Sequence, residues 1–445
     1  MFPDLRSKSH ALHERAVRAL PGGNSRHTVH ISPYPIYALR GEGARIIDVE
    51  GVSRLDFINN YSSLIHGHNH PEIVEAVREQ AGRLLSVSMP TEAEIELAEI
   101  ICERLPGVDQ IRFANSGSEG VLMAIRGARA YTGRRVIAKV EGAYHGSSET
   151  AAVSSGPPES AWAPADEAWG YADPGIGPGT AADVMILQMN DVEGTRRRLR
   201  LHADELAGVI VDPLTPALGY EAASREFLQM LRDETRAAGA LLIFDEVYTL
   251  RMGFNGAQGA VGVTPDLTAL GKIIGGGLPV GAVGGSETVM SSLFDPRFGP
   301  PKMTHGGTFN ANPLTMAAGA AAMRLFDRAA FDRLSGLGER LRKGLKEAVK
   351  LTGAEAFVRG EASIAGLFQG TEPAGPTYRD LVLSRKTNRN RAPRTDLFFR
   401  HMLNNGVLMG APGYFVLSTA LTDADIDYVI EQSVGAFRAM MSEAA

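Results

Sequence analysis

Short apolar blocks punctuate the middle of the chain, at residues 110–114, 135–140, 184–188, 207–211, 241–245, 267–271 and 281–285. Several are separated by stretches with helical periodicity, such as 118–131 and 225–238. Strands alternating with helices predict an α/β layer, with a largely parallel sheet covered on both faces. Most blocks end in a polar residue or glycine. In open α/β sheets ligands bind outside the carboxyl ends of the strands, so these ends are where chemistry is expected.

The flanks read differently. Leu12, Ala16, Val17 and Leu20 have helical spacing within 7–20, and the segment PGGNSRH breaks that helix. Residues 36–57 predict short strands with a turn at Glu50-Gly51, and 71–85 a helix. Thr91 followed by Glu94 is a capping-box signature for a helix ending near Leu105. After Pro313 an Ala-rich helix runs to about Phe326, and a charged one covers 329–350. The last hundred residues predict a small α+β unit, closed by a helix that begins at Thr422-Asp423. Residues 155–182 are rich in Pro, Gly and Ala, hold Trp162 and Trp169, and lack periodicity; a loop this long is more often functional than structural. The expected division is an N-terminal segment at 1–60 packed with the small domain, a large domain at 61–320, and a C-terminal small domain at 321–445.

Composition narrows the class. A chain of 445 residues exceeds one average domain. Its net charge of −6 gives no electrostatic reason to expect nucleic acid or an anionic membrane. The single cysteine, Cys102, cannot form an internal disulfide. The charged N-terminus has no signal-peptide core, and no run of about 18 apolar residues occurs. A cytoplasmic protein is the expectation.

Four segments carry candidate chemistry: NSGSE at 115–119, EGAYHG at 141–146, IFDEV at 243–247 and LGKIIGGGLPVG at 270–281. Ser116, Gly117 and Ser118 fall between a strand and a helix, where free N–H groups suit a phosphate; for this segment alone a plain N-cap is the better explanation. Asp245 ends an apolar run, and a buried carboxylate needs a partner, such as a protonated pyridine nitrogen. Lys272 lies in a Gly-rich turn, where partial desolvation lowers an amine's pKa and favours imine formation. Tyr144 offers a flat ring for a heterocycle. Taken singly, each is also an ordinary strand end, turn lysine or packing tyrosine. GKIIGGG lacks the residue order of a P-loop, and no GxGxxG follows the first strand. His66, His68 and His70 form HxHxH without a carboxylate or cysteine at metal-site spacing, so a substrate-side wall is expected rather than a metal site.

In combination, and together with LPGGNSR, ARAYTGR, GVTPDLTALGKIIGGGLPVGA (262–282), GGTFNANPLTMAAG and LTDADID, these segments resemble the class III aminotransferases of fold type I. These enzymes depend on pyridoxal 5′-phosphate (PLP), and the resemblance is to the branch containing glutamate-1-semialdehyde aminomutase and the β-amino-acid transaminases. It spans most of the chain. It implies a large domain with a mostly parallel seven-stranded sheet, a smaller α+β domain, and a homodimer with shared active sites. It further implies that Lys272 carries PLP as a Schiff base and shuttles the proton, and that Asp245 pairs with the pyridine nitrogen. Val247 and Tyr144 would flank the ring, Ser116, Gly117 and Ser118 the phosphate. Thr308, in GGTFN, would reach the phosphate in the neighbouring subunit.

The activity implied is ping-pong transfer of an amino group between an amine or amino acid and a keto acid or aldehyde. Two alternatives stand beside it: an aminomutase that returns the amine to the same molecule, and a non-catalytic PLP-binding protein. Arg26, after PGGNS, and Arg251, after DEVYT, are candidates for a substrate carboxylate. The stretch Met409–Phe415 carries neither the glutamate of the aminomutases nor the arginine of some β-amino-acid transaminases, and 155–182 is longer than in the aminomutases. Both differences favour intermolecular transfer and apolar or bulky amines.

Overall fold

The computed structural model describes residues 2–164, 167–387, 391–411 and 413–443. Each of the seven apolar blocks is a strand, and all seven join one sheet. They are β1 (Gln110–Ala114), β2 (Val136–Val140), β3 (Val184–Leu187), β4 (Leu206–Val211), β5 (Leu241–Asp245), β6 (Leu267–Gly271) and β7 (Gly281–Gly285). Their order across the sheet is β1-β7-β6-β5-β4-β2-β3. Only β7 runs antiparallel to its neighbours, pairing Gly281 with Gly271 on one side and Ala114 on the other.

Every residue of β2 through β7 is buried, as strands covered on both faces require. The helix Gly117–Thr132 packs on this sheet, and Gly120 permits its approach. A Cβ there would stand 2.5 Å from the Ala282 carbonyl oxygen, inside any real contact. The helix Arg225–Ala238 returns the chain to β5, capped by the Ser224 hydroxyl on the Phe227 N–H and ended by Gly239 at φ +64°.

Around this sheet lie a four-stranded and a three-stranded sheet. Strands Ala38–Glu42, Arg45–Asp48 and Ser53–Asp56 pair antiparallel, and the last runs parallel to Val407–Leu408. The N-terminal segment is thereby bonded to the C-terminal region. Strands Ala356–Arg359, Ile364–Gln369 and Tyr414–Val416 form the second sheet. The amphipathic helices Arg328–Thr352 and Asp423–Glu443 complete a smaller α+β unit.

Two local expectations change. The first helix is shorter than 7–20, covering Lys8–Ala16. The helix after Thr91 begins where expected, at Glu92, but the Thr91 hydroxyl accepts no capping bond. The reciprocal cap appears instead at Thr422, whose hydroxyl accepts from the Asp425 N–H while Asp425 accepts from the Thr422 N–H. Among the described residues, no helix is long and apolar enough to cross a membrane.

Candidate active site

The carboxyl ends of β1, β2, β4, β5 and β6 open onto one cavity of about 500 Å³. It is lined by Asn115–Ser118 after β1, Tyr144–Gly146 after β2, Asp212 after β4, Asp245 and Val247 at β5, and Lys272 after β6. Segments far apart in sequence meet here because the sheet order makes their strands neighbours. Arg26, Asn60 and Tyr61 close the outer wall. That wall contains an unusual run of left-handed residues, Asn59, Asn60, Tyr61 and Ser62, with φ between +48° and +74°. Such conformations persist only where surrounding structure enforces them, and they cluster at functional sites.

The Ser116 hydroxyl accepts from the Glu119 N–H at 3.2 Å, while the Glu119 carboxylate accepts from the Asn115 N–H at 2.6 Å. Ser116 is therefore a true N-cap, and the first-turn amides of Gly117 and Ser118 face the cavity end of the helix. Gly117 is needed for space as well: a Cβ there would lie 2.6 Å from Val247 Cγ1.

Asp245 is buried. Its Oδ2 is 2.8 Å from His145 Nδ1, and its Oδ1 accepts from the Val247 N–H at 3.1 Å. Burial pushes the His145 pKa down, against the pull of Asp245, so the ring is neutral with its proton toward the carboxylate. Its Nε2 is buried without a hydrogen-bond partner. Asp212, also buried, has its carboxyl held well above the usual range by burial and then by the Asp245 charge. Lys272 adopts φ +51° at the end of β6. Burial lowers its amine to about 8, with Asp245 and Asp212 opposing. Its Nζ lies 4.5 Å from the centre of the Tyr248 ring.

Of the residues singled out in the sequence, Ser116, Gly117, Ser118, Tyr144, Asp245, Val247, Lys272 and Arg26 all line the cavity. Thr308 does not; it is exposed, beside an exposed Phe309. Arg251 requires correction. It is fully buried and points away from the cavity, donating to the Ser363 hydroxyl at 2.8 Å, the Ser62 carbonyl at 3.4 Å and the Leu417 carbonyl. It ties the 3₁₀ turn Thr249–Met252 to the C-terminal region and has no free fork for a substrate.

Of the histidine triplet, His66 bridges Thr419 and the Ala322 carbonyl, and His68 pairs with Asp56 and lines a neighbouring cavity that Arg26 shares, but none of the three lines this one. Nor do the tryptophans: Trp162 lies under Arg379, and Trp169 bridges to Met185 at the sheet edge. Residues 165 and 166 of that loop, and Pro412 of the stretch 409–415, lie outside the described residues.

Sequence reasoning missed His145, Asp212 and Tyr248. Asp212 had a visible signal, since it ends an apolar strand just as Asp245 does. Another missed residue acts from behind. Lys139, within β2, is fully buried and donates to the carbonyls of Ala143, Ala151 and Val153 at 3.0, 2.8 and 2.7 Å. It clamps the turn that presents Tyr144 and His145.

This donor set fits PLP. A cap-freed helix terminus suits a phosphate, a buried carboxylate backed by a neutral histidine suits a protonated pyridine, and a desolvated amine stands in the same cavity. The comparisons agree. The pattern that defines the aminotransferases of class III matches residues 27–436. Glutamate-1-semialdehyde 2,1-aminomutase of Desulforudis audaxviator is 39% identical, covering 97% of this chain and 98% of that protein. The β-phenylalanine transaminase of Variovorax paradoxus is 37% identical over 98% and 94%. The crystal structure of an ω-transaminase from Sphaerobacter thermophilus superposes with a TM-score of 0.93 at 45% identity, covering 98% of each chain. The chain belongs to the class III aminotransferases, PLP-dependent transaminases of fold type I.

Proposed function

We propose that this aminotransferase acts between separate molecules, on carboxylate-bearing amines with a large apolar group, using Lys272 and Asp245 as its central residues. The observation that carries the substrate class is the position of Arg26. Its guanidinium donates to Asn60 Oδ1 at 2.9 Å and belongs to the wall of two cavities at once. One is the cavity holding Lys272; the other, about 750 Å³, is walled by Val29, Ile31, Ile36, Phe399, Leu408 and Met409 among others. A carboxylate held by Arg26 would leave the reacting amine toward Lys272 and an apolar group free to enter the second cavity.

When bound, PLP supplies an electron-accepting ring and holds the amino group between the two half-reactions of a ping-pong transfer. The chain's residues do the rest. Asp245 would pair with the ring nitrogen, and His145 fixes its carboxyl group by a 2.8 Å contact. Gly117 and Ser118 would hold the phosphate at the helix terminus, and Val247 and Tyr144 would flank the ring. Lys272 Nζ takes and returns the proton at the substrate carbon, a role its pKa of about 8 suits near neutral pH. Thr308, exposed on its own chain, would serve the site of a second copy in a homodimer. In the division at 1–60, 61–320 and 321–445, the N-terminal segment would move with the small domain, a reading supported by the pairing of 53–56 with 407–408.

The test supplies glutamate-1-semialdehyde with no second substrate, and in parallel an apolar β-amino acid with a keto acid. Turnover only in the second supports intermolecular transfer. Efficient conversion in the first would make the enzyme an aminomutase.

A further inference from the structure

Tyr248 opens the 3₁₀ turn that follows Asp245, and its ring face lies under Lys272 Nζ at 4.5 Å. That distance is within the range of cation–π attraction. The ring is also held firmly. Its hydroxyl is 2.7 Å from that of Tyr220, and the two rings lie nearly parallel, 17° apart, with centroids separated by 6.1 Å. Tyr220 packs on Tyr414 at 5.0 Å, and the Tyr414 hydroxyl donates to the Pro216 carbonyl at 3.2 Å. Three tyrosines from three separate segments thus fix the orientation of one ring face.

We propose that Tyr248 is a positioning residue for Lys272, its ring holding the free amine over the cavity and stabilising the ammonium form, with Tyr220 and Tyr414 as the brace. The proposal rests on reading Lys272 as the reacting amine. The groups facing that amine are Asp245 and Asp212, which favour its charge, Arg251 behind the turn, which opposes it, and His145, which engages Asp245. Burial and then the Asp245 charge push the Asp212 carboxyl well above its usual range. Burial likewise raises the Tyr248 hydroxyl, which stays neutral. A proton shuttle must be charged at one moment and free at another. An ion pair would resist giving up that proton, whereas an aromatic face stabilises the cation without binding it to a counter-ion.

The test uses the full-length protein freed of PLP. A limiting amount of an amine-acylating reagent is added across a pH series, and peptide mass spectrometry reads the labelling rate of Lys272. Melting curves establish that each variant is folded. In the wild type, labelling should reach half its maximum near pH 8. Tyr248→Leu and Tyr248→Met, two ring-free fillings of the same space, should move that midpoint down by roughly one pH unit, while Tyr248→Phe keeps it within about 0.3. Midpoints unmoved in both ring-free variants would overturn the proposal. So would an equal displacement in Tyr248→Phe, which would assign the effect to the hydroxyl. A wild-type midpoint at the ordinary 10.5 would instead remove the reading of Lys272 as a poised amine.

Discussion

Lys139 lies within a strand of the central sheet and is buried, Lys272 directly follows one and is half-buried, and desolvation pushes both amines below the ordinary 10.5, to about 7 and about 8. Their surroundings differ in kind. Lys139 points between loops and spends its donors on three carbonyls and, at 3.5 Å, the Ser155 hydroxyl. Lys272 faces a cavity, and among the described residues its amine meets an aromatic ring and two carboxylates rather than hydrogen-bond acceptors at contact distance. Desolvation alone therefore does not mark a reactive lysine. A buried amine whose donors are satisfied is a structural clamp; one left unsatisfied beside open volume is available for chemistry. Arg251 and Arg26 repeat the contrast, the first satisfied by carbonyls and a hydroxyl, the second at a cavity wall.

Substitutions can break this contrast. Lys272→Ala should lower transamination by at least about 10³-fold, as expected when a positioned proton carrier is lost, and should leave the melting temperature nearly unchanged. Asp245→Asn should follow, with a loss on the order of 10³ in turnover from the missing charge at the ring nitrogen; a change below about tenfold would make the carboxylate structural. Arg251→Ala should cost about 3–5 kcal/mol of stability, because three acceptors lose a buried cation, with the KM for acidic substrates unaltered in the folded fraction.

Lys139→Met should cost about 2–4 kcal/mol by leaving buried carbonyls unpaired, measured by denaturant melts, while turnover per folded molecule stays within about tenfold of wild type. The pH dependence has a definite sign. Between about 7 and 10.5 the folded state holds fewer protons on Lys139 than the unfolded state. The wild type therefore gains stability relative to Lys139→Met as pH rises through that window. Arg26→Ala is the smallest effect, an increase in KM for carboxylate substrates of about 10- to 100-fold from one lost charged hydrogen-bond pair. An unchanged KM would remove Arg26 from the substrate site.

Much of this was legible in the sequence. All seven strands were marked by largely apolar blocks, because six of them are buried along their whole length and a strand covered on both faces is mostly apolar. Lys272, Asp245 and the NSGSE turn, singled out at strand ends, line one cavity. The errors have physical reasons. Arg251 follows Tyr248 by one 3₁₀ turn, yet only Tyr248 lines the cavity; the Arg251 guanidinium is taken up by Ser363, Ser62 and Leu417, partners from distant segments that its own sequence neighbourhood does not mark. His145 was hidden by its neighbour Tyr144, since which of two adjacent residues faces inward depends on the clamp at Lys139. Lys139 itself was invisible as a buried group, because its partners are carbonyls 4, 12 and 14 residues away with no side-chain signature. The partners of His66 and His68, namely Thr419, Ala322 and Asp56, come from other segments and left no signal beside the histidines in the sequence.

The most direct measurement fixes the cofactor to its lysine. Holoenzyme is reduced with borohydride, digested, and searched by mass spectrometry for the phosphopyridoxyl-modified peptide. The modification should fall on Lys272 alone, with Lys139 unmodified. Modification of Lys139, or of any lysine other than Lys272, would contradict the account.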